Sequence, residues 1–410
     1  MRRFLLCLLL AGYSTVLVTS TAPLSDSREQ VRYFTRAVEF DYVSWTVDAA
    51  ILKLQQVALG AHQYLAEDAQ TQLVRDFMAL IAQIQIQEAM LNQLHANPGN
   101  VSAQLEETRA FLDTLYAQRA EQAPLAESIL QAQLTQTLSE HGFTSGGQPI
   151  PPLLYHSTPL PWALVVSPRG SIGQLANLSL ETELTLEQHI EIEDAVADAL
   201  DVSSLVVPVG GIGTYPTMVA QTSSLNWLSE VIAHEWLHNY LAWHPLGLNY
   251  SKSQDLTTMN ETTANLFGKE IGAAVIAHYY PEYAPPPGPS RVPASMDDPP
   301  VFDFREQMHI TRLQVDALLA EGKVEEAEAY MEARRLVFWE NGYAIRKLNQ
   351  AYFAFYGSYA DTPIGPAGED PVGAAVRQLR RLSPTLTIFV HHMQGLTSFE
   401  QLQALLASLQ

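Results

Sequence analysis

His234, Glu235 and His238 make up the part of this sequence best suited to chemistry. Two histidines four residues apart on a helix lie on one face, one turn apart, and can share a metal ion. Zinc binds neutral imidazole nitrogen well and favours tetrahedral sites. Glu235 projects about 100° round the helix from His234. It would face a water held by the metal rather than the metal itself. Zinc lowers the pKa of such a water to about 7, and a carboxylate can take its proton as the water attacks a carbonyl. The spacing predicts one zinc ion per chain held by His234 and His238, with Glu235 as catalytic base in a hydrolytic reaction. The bland alternative is a helix whose histidines only pack or face solvent. Val231, Ile232, Trp236, Leu237 and Leu241 speak against it. They would bury the rest of the helix, and a buried His-Glu-His group needs partners.

A catalytic zinc usually has three protein ligands and an open position. His244 stands six residues after His238, the spacing of the metzincin third ligand. That motif turns the chain with a glycine, and Leu241 stands in its place. Pro245 also pushes His244 towards extended backbone. Glu261 is the other candidate. Pro245 and Gly247 lie in the segment between the two motifs, so a reversal there could face two antiparallel helices at the metal. The bland reading of Glu261 is a solvent-facing helix residue. Asn260-Glu261-Thr262 also matches a glycosylation acceptor, but a ligand could not sit beneath a glycan.

His234-Glu235-x-x-His238 followed by Asn260-Glu261-x-x-Ala264 resembles the gluzincin metallopeptidases, among them thermolysin-like proteases and zinc aminopeptidases. The resemblance spans about His234 to Asn265. It implies zinc ligands His234, His238 and Glu261, the last on a second, antiparallel helix, with Glu235 as general base and a peptide or protein as substrate. The gap from His238 to Glu261 is slightly longer than usual in those enzymes. Asn265 stands where thermolysin-like proteases carry an aspartate that buttresses a ligating histidine. No aminopeptidase-type G-A-M-E-N segment precedes the helix. The resemblance also implies a later Tyr or His as oxyanion donor. Tyr343, Tyr352, Tyr356 and Tyr359 cluster around Asn349, and His391 and His392 follow. By analogy with zincin architecture, Tyr215 to Ser223 would be the edge strand along which a peptide pairs.

The elements that must position these groups read as α+β, mostly α. A helical N-terminal region (24–145) of about four helices is rich in Ala, Gln, Leu and Glu. Its plain reading is a scaffold. A zincin-like catalytic region (150–282) follows. Pro161 to Val166 and Ser204 to Val209 read as strands around a helix from Leu186 to Leu200. Gly210 to Gly213 reads as a loop without the spacing of a nucleotide-binding fingerprint. One helix starts at Ser224 and carries the histidines, and a second covers Leu256 to Tyr280. The proline-dense stretch Pro281 to Pro300 leads to a helical C-terminal region (283–410), broken by a loop from Gly357 to Gly373.

A net charge of -21 over 410 residues excludes nucleic acid as an expected partner. Arg2 and Arg3, the apolar run from Phe4 to Val18 and the small residues at Val18-Thr19-Ser20 read as a secretory signal peptide over 1–20, or an N-terminal anchor. A secreted, periplasmic or cell-surface location is expected, with membrane contact only if that segment is kept. Cys7 is the sole cysteine, so no disulfide or thiolate site is expected after cleavage. The expected function is an exported zinc metallopeptidase. The alternative is an exported helical binding or scaffold protein with a structural or vestigial metal site.

Overall fold

The valine-rich run Trp162–Pro168 (β2) can form a strand because both of its faces find apolar cover. A computed structural model describes residues 26–96, 102–285, 302–357 and 371–409. The segment 1–20, most of the two predicted loops and Tyr359 lie outside the described residues. The chain is α+β and mostly helical, with two three-stranded sheets. Among the described residues, no helix is long and apolar enough to cross a membrane.

Four α-helices build the N-terminal region: α1 (Ser27–Thr35), α2 (Tyr42–Leu59), α3 (Glu67–Ala96) and α4 (Ser102–Glu140). Helices α3 and α4 run antiparallel. Phe77, Ile81 and Ile84 of α3 join Leu112, Ile129 and Leu130 of α4 in one core. A strand β1 (Tyr155–Ser157) follows, then β2, β3 (Ala176–Leu180), helix α5 (Leu186–Leu200) and β4 (Val202–Val207). Strand β2 is central and antiparallel to both neighbours, with Val165 opposite Asn177 of β3 and Leu205 of β4. Leu164 and Val166 turn to α1 and α5, against Val31 and Val196. Ala163 and Val165 turn to the C-terminal helices, against Val315, Phe338 and Phe353.

The second sheet differs from its sequence reading. Gly211–Ile212 (β5), inside the predicted glycine loop, pairs antiparallel with Thr217–Val219 (β6), which pairs parallel with β1. The predicted edge strand Tyr215 to Ser223 therefore shrinks to β6, and β6 is the middle strand. Its three residues are all buried. β1 and β5 are the edges instead.

Helix α6 (Leu225–Leu241) starts at the N-cap Ser224, whose side chain accepts from the Trp227 amide. A four-residue helix α7 (Pro245–Leu248) turns the chain, and α8 (Gln254–Tyr279) returns along α6. Trp236 of α6 stacks on Phe267 of α8, and its indole N–H donates to the Pro151 carbonyl. The C-terminal region comprises α9 (Phe304–Ala320), α10 (Val324–Glu340), α11 (Gln350–Tyr356), α12 (Pro371–Leu382), α13 (Leu386–Gln394) and α14 (Phe399–Ser408). The first three cover β2, while the last three pack on the same core as α6 and α8.

Candidate metal centre

Two glycines set the spacing of the helix pair that carries the site. A Cβ on Gly268 would lie 2.7 Å from the Glu230 carbonyl oxygen, and one on Gly272 2.8 Å from the Glu230 amide nitrogen. Spaced four apart, they form a flat strip on α8 that lets the backbones approach closely. Further up the interface, that approach brings Glu261 of α8 to His234 and His238 of α6.

The two imidazole Nε2 atoms lie 3.0 Å apart, and Glu261 Oε2 lies 3.5 Å from each. These atoms form a group that could hold a metal ion. Glu261 Oε2 is buried and has no hydrogen-bond partner. It is near both rings but is not aligned with a hydrogen on either. A buried, unpartnered carboxylate oxygen is costly unless a cation meets it. Two imidazoles, one carboxylate and an adjoining cleft match the three-ligand, open-position donor set of a catalytic metal site.

The supporting contacts orient each donor. His238 Nδ1 lies 2.9 Å from Asn260 Oδ1. An N–H at Nδ1 donating to that oxygen leaves the Nε2 lone pair facing Glu261. The buttress is thus Asn260, not the Asn265 suggested by the resemblance. Asn260 is buried, so in the fold it is no glycan acceptor. The Tyr250 hydroxyl donates to Glu261 Oε1 at 2.5 Å, leaving Oε2 turned to the rings.

Glu235 packs under β5. A Cβ on Gly211 would lie 2.6 Å from Glu235 Oε1, and one on Gly213 3.2 Å from His238 Cβ. The Asn239 amide ties α6 to the same strands, donating to Thr214 O and Thr217 Oγ1.

Burial and the mutual charges of the trio together set the electrostatics. Burial pushes the Glu235 carboxyl up, with the two imidazoles pulling it down. Burial also opposes the charge of Glu261, but His238 and His234 hold its carboxyl well below the usual range. His238 loses by burial and gains more from the facing Glu261, ending at about 9. A metal ion must displace that proton.

The trio and Glu235 open onto a cleft of about 440 Å³. Tyr42 of α2, Asn177 and Ser179 of β3, Ile212 of β5 and Phe355 of α11 line it. His244 takes no part. Its ring stacks on Tyr240, its Nδ1 lies 2.9 Å from the Tyr240 carbonyl, and it caps α7.

None of the described oxyanion candidates reaches the cleft. Tyr343 packs on Phe302 and Phe304. Tyr352 and Tyr356 line a separate cavity beside Trp162 and Arg346. His391 lines a third cavity, beside His244 and Trp243, and His392 lies next to it outside the cleft. Tyr352 and Tyr356 lie on α11, which packs on β2, His391 and His392 lie on α13, and Tyr343 lies between α10 and α11. The tyrosines that do line the cleft are Tyr42 and Tyr250. Sequence reasoning passed over both, along with Asn260 as buttress. Only Asn260, adjacent to Glu261, and the Gly268-x-x-x-Gly272 spacing carried a local signal. Comparison of the chain with protein-family models, curated proteins and solved structures finds no match to any of them.

Proposed function

We propose that the protein is an exported zinc-dependent hydrolase, a gluzincin-like metallopeptidase that cleaves peptide bonds. The observation that carries this reading is the bare, buried Glu261 Oε2 facing both imidazole Nε2 atoms. His234, His238 and Glu261 would hold one zinc ion. A bound zinc supplies a water of lowered pKa and a Lewis acid for the carbonyl oxygen. Asn260 holds His238 in the ligating tautomer, and Tyr250 turns Glu261 Oε2 inward. Glu235 sits between the trio and β5, with a carboxyl raised by burial. A carboxylate so tuned accepts a proton from water and returns it to the leaving amine. β5, the edge strand at the cleft, offers backbone against which an extended peptide can align.

Metal analysis of purified protein, joined to digestion of a peptide library with and without chelator, tests this. About one zinc per chain and chelator-sensitive cleavage are expected. Glu235→Gln should keep its zinc and lose roughly 10²–10⁴-fold in kcat. Full activity in that variant would remove Glu235 from the mechanism. Zinc binding with no hydrolysis of any peptide would leave a structural metal site in a scaffold protein.

A further inference from the structure

Among the described residues, the charged side chains of the cleft gather at the metal-binding trio and Glu235. Among the described residues that line it, the charged or titratable groups other than tyrosine are His234, His238, Glu261 and Glu235. The rest of the lining divides in two. Val209, Ile212 and Phe355 are apolar, while Gln174, Asn177 and Ser179 on and beside β3 are polar and neutral. Asn177 and Ser179 are two residues apart on a strand, so they share a face. The Ser179 hydroxyl accepts from Tyr42 at 2.6 Å. The carboxamides of Gln174 and Asn177 have no hydrogen-bond partner among the described residues.

A carboxamide offers two donors and an acceptor, the complement of a peptide group. Recognition of a terminal α-amine would need a carboxylate of its own, and a terminal carboxylate would need a cation. Glu261 and Glu235 are committed to the metal and to proton transfer. A charged side chain seated against Gln174, Asn177 or the apolar lining would meet no opposite charge there.

We infer that the substrate is an internal, uncharged stretch of extended polypeptide, so that the protein is an endopeptidase with neutral subsites. Gln174 and Asn177 hold the substrate's peptide groups, while Val209, Ile212 and Phe355 take its apolar side chains. This rests on the zinc-peptidase reading above. The reaction is plain hydrolysis: the C–N bond breaks, the water oxygen bonds to the carbonyl carbon, and the amine nitrogen gains a proton. The products are a carboxylate and an ammonium group.

Zinc-loaded full-length protein and a set of internally quenched peptides provide the test. One peptide has blocked ends and a neutral sequence. Others carry a single Lys or Asp within two residues of the cut, and another presents a free amino terminus. The neutral, blocked peptide should be cut. One charge should lower kcat/KM at least about tenfold. The free terminus should not direct cleavage to the first bond. Asn177→Asp, at an exposed strand position, should raise the Lys-to-neutral rate ratio about tenfold. Asn177→Ala should raise KM for the neutral peptide and leave that ratio unchanged. Equal rates on charged peptides, a preference for the first bond, or an Asn177→Asp ratio like that of the unaltered protein would each overturn the inference. Failure to cut any peptide at all would instead strike the peptidase reading beneath it.

Discussion

Two buried glutamates, Glu127 in the helical N-terminal region and Glu261 in α8, have opposite surroundings. Glu127 accepts from Lys53 Nζ at 2.6 Å, from the Ser157 amide at 2.9 Å, and pairs with His156 Nδ1 at 3.0 Å. Both of its oxygens are satisfied, and a fixed ammonium opposes its charge. Glu261 has one oxygen on Tyr250 and the other bare between two imidazoles. A buried carboxylate needs compensation in either case. The first site finds it inside the protein and joins α2, α4 and β1. The second is compensated by the two imidazoles alone and leaves one oxygen bare, as a group that could hold a metal ion would.

The largest expected effect breaks this comparison directly. Glu127→Gln strands a buried Lys53 charge and should destabilise the fold by about 3–5 kcal/mol, with or without zinc. Glu261→Gln, measured on chelator-stripped protein, should lower the unfolding free energy by less than this, because the facing His238 can release its proton once the carboxylate is gone. The reverse order would abolish the distinction.

Acid titration tests the first site alone. Burial raises the Glu127 pKa, but Lys53 and His156 outweigh it and bring it to about 2, below the ordinary 4.5. The folded pKa is the lower one, so the contribution is complete above about 4.5 and is lost as pH falls towards 2. It amounts to about 3 kcal/mol. Urea midpoints between pH 5 and 2.5 should fall more steeply in the unaltered chain than in a Glu127→Leu/Lys53→Met variant.

Chelation tests the second site alone. Zinc at a hundred times its Kd should stabilise the fold by about 2.7 kcal/mol. That increment should vanish in Glu261→Ala and persist in His244→Ala, read as a zinc-dependent shift in Tm. The smallest effect sharpens the picture. Asn260→Ala should weaken zinc binding about 10–100-fold, measured by competition with a chelating dye, through loss of the His238 buttress.

The elements legible in advance were those whose signal is local. β2 and β4 match the predicted strands to within two residues, and α5 spans the predicted Leu186–Leu200. Strand β3 was missed because its alternation is only five residues long, with Asn177 and Ser179 standing between the apolar Ala176, Leu178 and Leu180. Asn177 and Ser179 are polar because that margin of the sheet faces the cleft rather than a covering helix. The glycine run read as a loop because Gly211 has no side chain to signal a strand. Its bareness is a packing requirement of Glu235.

Helical period alone put His234 and His238 on one face and made Glu235 their neighbour, because the 3.6-residue repeat is a property of the backbone. The resemblance to the gluzincins, not the period, added Glu261 as a third candidate, favoured over His244 because Leu241 replaces the turn glycine and Pro245 follows His244. Only the tertiary structure decided that Glu261, and not His244, meets the histidines. That outcome depends on how closely α8 approaches α6, through Gly268 and Gly272. Only the tertiary structure put Tyr42 and Tyr250 in the cleft and kept Tyr343, Tyr352 and Tyr356 out of it. Which tyrosines face a site depends on contacts between residues far apart in the chain, and no short window of sequence records them.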